Sequence, residues 1–268
     1  MIQVDRADVA DNKVEPSALL AIPVMRRGAP ARSFPPVIIV PFPRVSVVIP
    51  VLNEGRNILS VLEAIPADIF EVIVVDGQST DDTVAIAHAW AAKHGLPLRV
   101  VQQPRRGKGD ALIHGFAHCG GDVIVTLDGD GSTDAAEIPR FIAALRAGAE
   151  LAKGSRFAPG GGSADITPLR RWGNRVLTML VNRLYRTNFT DLCYGYNAFW
   201  RDCLEPLDLV CDGFEIETLL NVRAARRALV VAEVPSVEAR RAHGASNLHP
   251  LRDGLRVLRV IVGERLKK

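Results

Sequence analysis

Short β-branched runs alternate with helix-like segments through the middle of the chain, and this restricts the fold more than any other feature. The runs are Val45-Ser46-Val47-Val48-Ile49-Pro50, Glu71 to Val75, Leu98 to Val101, Val123 to Leu127 and Glu150 to Lys153. Their Val and Ile content suits strands covered on both faces. Between them, Asn57 to Ile65, a segment through Ala92, another through His118, and Asp134 to Arg146 read as helices. Ser79 with Asp82 three residues on predicts a capping box for the second of these. The pattern predicts an α/β fold: a mostly parallel central sheet with helices on both faces, a Rossmann-like three-layer α/β/α arrangement. Ligands of such sheets bind at the carboxyl ends of the strands. Asp76, Lys108 and the pair Asp128/Asp130 each follow a predicted strand, so all are expected to crowd one edge.

The sharpest chemical signal is Thr126-Leu127-Asp128-Gly129-Asp130-Gly131. Two carboxylates one residue apart, at the end of a buried strand, can converge on one hard cation. Mg²⁺ or Mn²⁺ accepts such oxygen ligands and further oxygens from a phosphate. The plain alternative is a solvated Asp-Gly turn. Upstream, Arg105-Arg106-Gly107-Lys108-Gly109 reads as a phosphate cradle, with Lys108 and the N–H groups of the next helix start facing an anion. It lacks the spacing of a Walker A loop, and Leu112 stands where a dinucleotide fingerprint needs its third glycine.

The flanks differ from this core. Residues 1–43 hold seven of the 17 prolines, which predicts a flexible arm, with Val37 to Val40 as a short extra strand. Residues 44–249 form the expected catalytic domain. Gly160-Gly161-Gly162 marks a mobile loop, and Pro168 to Tyr185 reads as an amphipathic, arginine-rich helix. Residues 250–268 predict a basic amphipathic helix, with Leu251, Leu255, Leu258 and Val262 at helical spacing. Either helix could rest on an anionic membrane surface or pack on the core with a solvated charged face.

Composition excludes several classes. A net charge of +3 over 268 residues is too small to imply nucleic acid. The four cysteines form no Cys-x-x-Cys pair and no signal peptide is evident, which predicts reduced thiols in the cytoplasm. The histidines form no His-Glu-x-x-His zinc motif, and no apolar run reaches membrane-spanning length.

Together the motifs resemble the family 2 glycosyltransferases of the GT-A fold. The matching residues are Val48-Ile49-Pro50-x-x-Asn53-Glu54, Val75-Asp76-Gly77-x-Ser79-x-Asp81-x-Thr83, Gly107-Lys108-Gly109 and Asp128-Gly129-Asp130. The resemblance implies that Pro50, Asn53, Glu54, Asp76 and Lys108 surround a GDP- or UDP-sugar, with Asp128 and Asp130 holding Mg²⁺ or Mn²⁺ on its diphosphate. Further on, Gly154-Ser155-Arg156-Phe157, Leu169-Arg170-Arg171 with Asn174, Asp191 followed by Tyr194-Gly195-Tyr196, and Arg241-Ala242-His243-Gly244-Ala245-Ser246-Asn247 are similar to the polyprenyl-phosphate branch, which includes dolichol-phosphate mannose synthases. Departures are Val75 for a first Asp, Ser132 for a Gln metal ligand and Asn247 for Lys.

The resemblance implies an inverting transferase whose acceptor is a lipid phosphate bound by Arg156, Arg170, Arg241 and Ser246. Asp128, Asp130, Arg156 and Arg170 carry the reaction. A phosphate acceptor is already ionised and requires no general base. Such an enzyme would be cytoplasmic, with peripheral contact to the inner face of the membrane. A soluble transferase with a hydroxyl acceptor is the alternative. It would need a base, and Asp191, Glu215 and Glu217 are candidates. A sugar-phosphate nucleotidyltransferase is a more distant one. Arg156 and Arg170 could also simply pair with Asp165 at the surface.

Overall fold

The computed structural model describes residues 22–24 and 42–267. Its strands are β1 (Ile22–Val24), β2 (Val45–Val51), β3 (Glu71–Asp76), β4 (Leu98–Gln102), β5 (Val123–Thr126), β6 (Leu151–Ser155), β7 (Gly162–Ser163), β8 (Asn197–Trp200), β9 (Val231–Pro235) and β10 (Val237–Glu238). The helices are α1 (Ile58–Glu63), α2 (Thr83–His94), α3 (Lys108–Phe116), α4 (Ile138–Arg146), α5 (Pro168–Tyr185), α6 (Leu204–Leu207), α7 (Ile216–Arg226) and α8 (Pro250–Leu266).

Eight strands form one sheet in the order β1-β9-β6-β8-β5-β2-β3-β4. All are parallel except β8, which runs against β5 and β6, and β1, which runs against β9. The alternation of side chains along each strand separates two cores. Val47, Ile49, Val72, Val74, Val123 and Val125 face α1, α2 and α4. Val48, Ile73, Val75 and Ile124 face the layer holding Leu112, Phe116, Val181, Leu219 and Ile261. This is the expected three-layer architecture. Burying each such side chain contributes roughly 1.5–3 kcal/mol, so the central strands are fixed in register and their carboxyl ends in position.

Several local expectations change. The capping box at Ser79/Asp82 does not form: Asp82 occupies the N-cap position of α2 without a side-chain bond. Asp81 Oδ1 accepts the Thr83 N–H at 3.1 Å instead, and Ser79 Oγ is used by the Asn53 N–H at 2.9 Å. The triglycine stretch leads into β7, which pairs in parallel with β10, and Ser163 Oγ donates to Glu238. Within the arm, Ile22–Val24 adds an edge strand; Val37 to Val40 lies outside the described residues. The C-terminal helix is integral to the core. Val257 and Ile261 are buried, and Tyr185 Oη donates to the Ile261 carbonyl at 2.6 Å.

Candidate active site

The carboxyl ends of β2, β3 and β5 open into a cleft of about 590 Å³, walled on the far side by the N-terminal turns of α5 and α8. Asp128 and Asp130 leave β5 into this cleft, and each meets a cation. Lys108 Nζ lies 2.6 Å from Asp128 Oδ1 and 2.8 Å from Glu217 Oε1. Arg241 places Nη2 2.7 Å from Asp130 Oδ2 and Nη1 2.9 Å from Glu54 Oε1. By formal charge, four carboxylates share two cations, an excess equal to the charge of one divalent ion. Burial works against the Lys108 ammonium, but Asp128 and Glu217 outweigh it and hold its pKa above the ordinary lysine value. Gly195 closes over the pair, for a Cβ there would stand 2.7 Å from Lys108 Nζ and 2.9 Å from Asp128 Oδ2.

The donor set fits a hard divalent cation. Among the described residues no cluster of three or more His, Cys, Asp or Glu side chains converges to hold a metal. Asp128 and Asp130 are the residues that would hold it, leaving positions for diphosphate oxygens and water, as Mg²⁺ prefers.

The glycine-rich loop plays a different part from a phosphate cradle. Gly107, at φ 99°, packs where a Cβ would strike the Asp212 carbonyl. That carbonyl accepts the Gly109 N–H at 2.9 Å and the Asp110 N–H at 3.4 Å. Those two helix-start donors are thus already satisfied, and Arg106, Gly107 and Lys108 of the loop line the cleft.

Of the residues expected around the nucleotide, Pro50, Glu54 and Lys108 line the cleft, together with Gly77, Gln78 and Gln103. Asn53 and Asp76 do not line it; they shape its edge. Asn53 Oδ1 accepts the Thr80 N–H at 2.8 Å, and the buried Asp76 carboxylate accepts the Gln78 and Ser79 N–H groups at 3.2 and 3.1 Å. Both side chains are spent on the β2–α1 and β3–α2 turns.

The expected acceptor residues Arg156, Arg170, Arg241 and Ser246 all line the same cleft. Arg156 is not an open anion receptor. Its side chain is 3% exposed, with Nε 2.7 Å from Asp191 Oδ2, Nη2 3.0 Å from Asp191 Oδ1 and Nη1 3.2 Å from Glu238. Burial opposes this cation, yet Asp191 and Glu238 keep its pKa raised, while Arg156 holds the Asp191 carboxyl below the ordinary range against its own burial. Arg170 is the open guanidinium, 3.6 Å from Asp165. Arg241 is paired with Glu54 and Asp130.

Of the three candidate bases, Asp191 and Glu217 are held by cations, and Glu215, which does not line the cleft, leaves Oε2 buried without a hydrogen bond. Asp191 holds Arg156 and the Asn174 amide at 3.0 Å, and Glu217 holds Lys108. Glu215 Oε1 accepts the Gly213 N–H at 3.2 Å. Glu238, Gln103 and Asp253 are cleft residues that sequence reasoning missed. Glu238 lies 82 positions from the arginine it holds, and no local motif marks such a pair.

Comparison with known proteins agrees with this geometry. Residues 46–207 match the family described as Glycosyl transferase family 2. The glycosyltransferase AglJ of Haloferax volcanii is 33% identical over 216 residues, covering 78% of this chain and 68% of that protein. The dolichol-phosphate mannosyltransferase of Pyrococcus furiosus is 30% identical over 213 residues, covering 76% of this chain and 59% of that protein. Among solved structures, glucosyl-3-phosphoglycerate synthase from Mycobacterium tuberculosis, in complex with Mn²⁺, UDP and glucosyl-3-phosphoglycerate, superposes with a TM-score of 0.65 at 26% identity, covering 83% of this chain and 80% of that one. The match extends from β2 past β8 and contains Asp128, Asp130, Arg156 and Arg170, while Glu217, Glu238, Arg241 and the α8 wall lie beyond it. A mostly parallel sheet of the GT-A type, an Asp-x-Asp pair at its carboxyl edge and these relatives lead to one assignment: the chain belongs to glycosyl transferase family 2.

Proposed function

We propose that the protein transfers a hexose from a GDP- or UDP-sugar to a polyprenyl phosphate at a membrane surface, with inversion at the anomeric carbon. The observation that carries this reading is the paired arrangement of Asp128 with Lys108 and Asp130 with Arg241 at the cleft edge. It supplies two carboxylates for Mg²⁺ or Mn²⁺ and two cations for phosphate oxygens within one site. Pro50, Glu54, Gly77 and Gln103 border the nucleoside end. Asp128 and Asp130 would hold the divalent ion, which when bound would offset the charge of the leaving nucleoside diphosphate. Lys108, kept protonated, and Arg241 add fixed positive charge where that negative charge develops.

The acceptor side follows from the other wall. Arg170 offers its guanidinium to a phosphate, a geometry suited to paired hydrogen bonds. Arg156, locked between Asp191 and Glu238, anchors the wall behind it. Because Asp191 and Glu217 are held by cations and Glu215 does not line the cleft, a pre-ionised phosphate suits the site better than a hydroxyl that must lose its proton.

Membrane contact is supported by the outward faces of α5 and α8. Leu169, Trp172, Val176 and Met179 are exposed on one, and Leu251, Leu255, Leu258, Val262 and Leu266 on the other. These helices pack side by side and their first turns border the cleft. A patch of this kind, interleaved with Arg175, Arg252 and Arg259, suits an anionic bilayer. Among the described residues no helix is long and apolar enough to cross a membrane. Release of UDP or GDP from a sugar nucleotide, dependent on both Mn²⁺ and an added polyprenyl phosphate, tests the reading; release only with a water-soluble alcohol would overturn its acceptor.

A further inference from the structure

The sheet sets four cleft residues in a row. Asp128 follows β5, Leu52 follows β2, Gly77 follows β3 and Gln103 follows β4, and these strands lie side by side in that order. At about 4.8 Å between neighbouring strands, Gln103 stands roughly 14 Å across the sheet from Asp128. A nucleoside diphosphate with its phosphates at Asp128 spans that distance and brings its base to the far end.

Gln103 is 4% exposed, and its carboxamide is held in one orientation. Nε2 donates to the Arg105 carbonyl at 2.9 Å and reaches the Gly107 carbonyl at 3.5 Å. Two carbonyls on that side require the NH₂ group there, so Oε1 faces the other way. It faces Gly77: a Cβ on that glycine would stand 3.3 Å from Oε1 and 3.4 Å from the Leu52 Cβ. Among the described residues Oε1 accepts no hydrogen bond, and unlike Asn57 Oδ1 and Asn197 Oδ1 it is not closed off from solvent. Leu52, 43% exposed beside it, offers apolar surface to the face of a ring. Acceptors on nearly buried side chains seldom lack a donor, so one fixed in direction against a bare stretch of cleft wall calls for a donor from the ligand.

The chemistry of that donor is restricted. A phosphate oxygen has no proton to give, and the ribose lies nearer the diphosphate. A base edge fits, and an amide oxygen that cannot turn selects a ring N–H. Uracil presents one at N3 and guanine one at N1. Cytosine and adenine present a bare nitrogen at the same place, with their amino group one ring position away. We infer that Gln103 Oε1 accepts the ring N–H of a uracil or guanine base lying against Leu52, and so decides which nucleoside diphosphates the cleft takes. The inference rests on the proposed sugar-nucleotide reading and makes Gln103 a specificity residue, apart from the Asp128–Asp130 end.

Titration calorimetry of the whole chain in saturating Mg²⁺ tests it, with UDP, CDP, GDP, ADP and inorganic pyrophosphate. The wild type should bind UDP about tenfold or more tighter than CDP, or GDP by the same margin over ADP, and the pair that shows the margin names the base. Gln103→Leu removes the oxygen; it should bring that ratio to within about twofold and leave pyrophosphate unchanged. Gly77→Ala, whose methyl would press on Oε1, should lower the same ratio while Gln103 keeps its hold on the loop. Nucleotide binding without either preference in the wild type, or a preference undiminished in both variants, overturns the inference while the donor reading stands. A loss of pyrophosphate affinity in Gln103→Leu equal to the loss of the nucleotide makes Gln103 a support of the loop and also overturns it. Failure of the wild type to bind any of the four nucleotides would overturn the donor reading itself, and this assignment with it.

Discussion

Arg241 Nη2 lies 2.7 Å from Asp130 Oδ2, joining residues 111 positions apart in the chain. The same guanidinium reaches Glu54, so one cation from the segment before α8 ties the turn after β2 to the loop after β5. Arg241 and a divalent ion would compete for Asp130. Replacing Arg241 with Ala is expected to tighten Mn²⁺ binding in the absence of nucleotide by about two- to fivefold, the worth of a partly exposed ion pair, while turnover falls. Electron paramagnetic resonance titration of free Mn²⁺ measures the first effect. Unchanged Mn²⁺ affinity would show that Arg241 does not occupy the metal's carboxylate.

Arg156 and Arg170 should separate by stability. Arg156→Ala strands the buried Asp191 and Glu238 carboxylates without their cation, and breaking a buried pair of this type costs about 3–5 kcal/mol. Arg170 is more open and pairs loosely with Asp165, so Arg170→Ala should cost no more than about 1 kcal/mol and act mainly by raising the KM for the acceptor. Urea denaturation of the two variants beside acceptor kinetics gives both numbers.

How far the residues could be read in advance differs by type of interaction. The strands leading to Asp76 and Asp128 were legible because apolar β-branched runs can be buried in few other ways. Asp128 and Asp130 were legible as a pair because their spacing is local. The antiparallel placement of β8 was not, because nothing in Asn197–Trp200 encodes the direction of its neighbours. Nor was charge compensation. Glu238 beneath Arg156 and Glu217 beside Lys108 are tertiary pairs, and a sequence motif shows the cation without its partner. For the same reason Gly107 and Gly109 resembled a phosphate loop, whereas their lack of side chains serves contact with residues 211–213.

Acid should act on the α7–α8 contact. Burial alone would raise the Glu264 carboxyl, but hydrogen bonds from Arg223, Lys267 and Arg226 lower it from 4.5 to about 2. A depressed folded-state pKa gives stability that is full above the unfolded value and lost as pH falls toward the folded one. The stability gap between wild type and Glu264→Gln is therefore expected to be largest above about pH 5 and to shrink toward pH 2. Denaturation curves at several pH values check the sign; a gap that widens on acidification contradicts it.

The α5–α8 face should determine vesicle binding. Trp172 and Leu251 are 66% and 76% exposed at the cleft rim. A Trp172→Ser, Leu251→Ser double variant should lose about tenfold or more in affinity for anionic phospholipid vesicles, with an unchanged melting temperature. Co-sedimentation reads the loss, and equal binding by variant and wild type would locate membrane contact elsewhere or nowhere.

The most direct test concerns Asp128 and Asp130. Nucleoside diphosphate release from a sugar nucleotide should be measured in Mn²⁺ for the wild type, Asp128→Asn and Asp130→Asn, with melting temperatures recorded alongside. Each variant is expected to lose about 100-fold or more in turnover, the scale of removing one electrostatic contact to a developing charge. Each should melt within a few degrees of the wild type. Full turnover by either correctly folded variant would contradict the account.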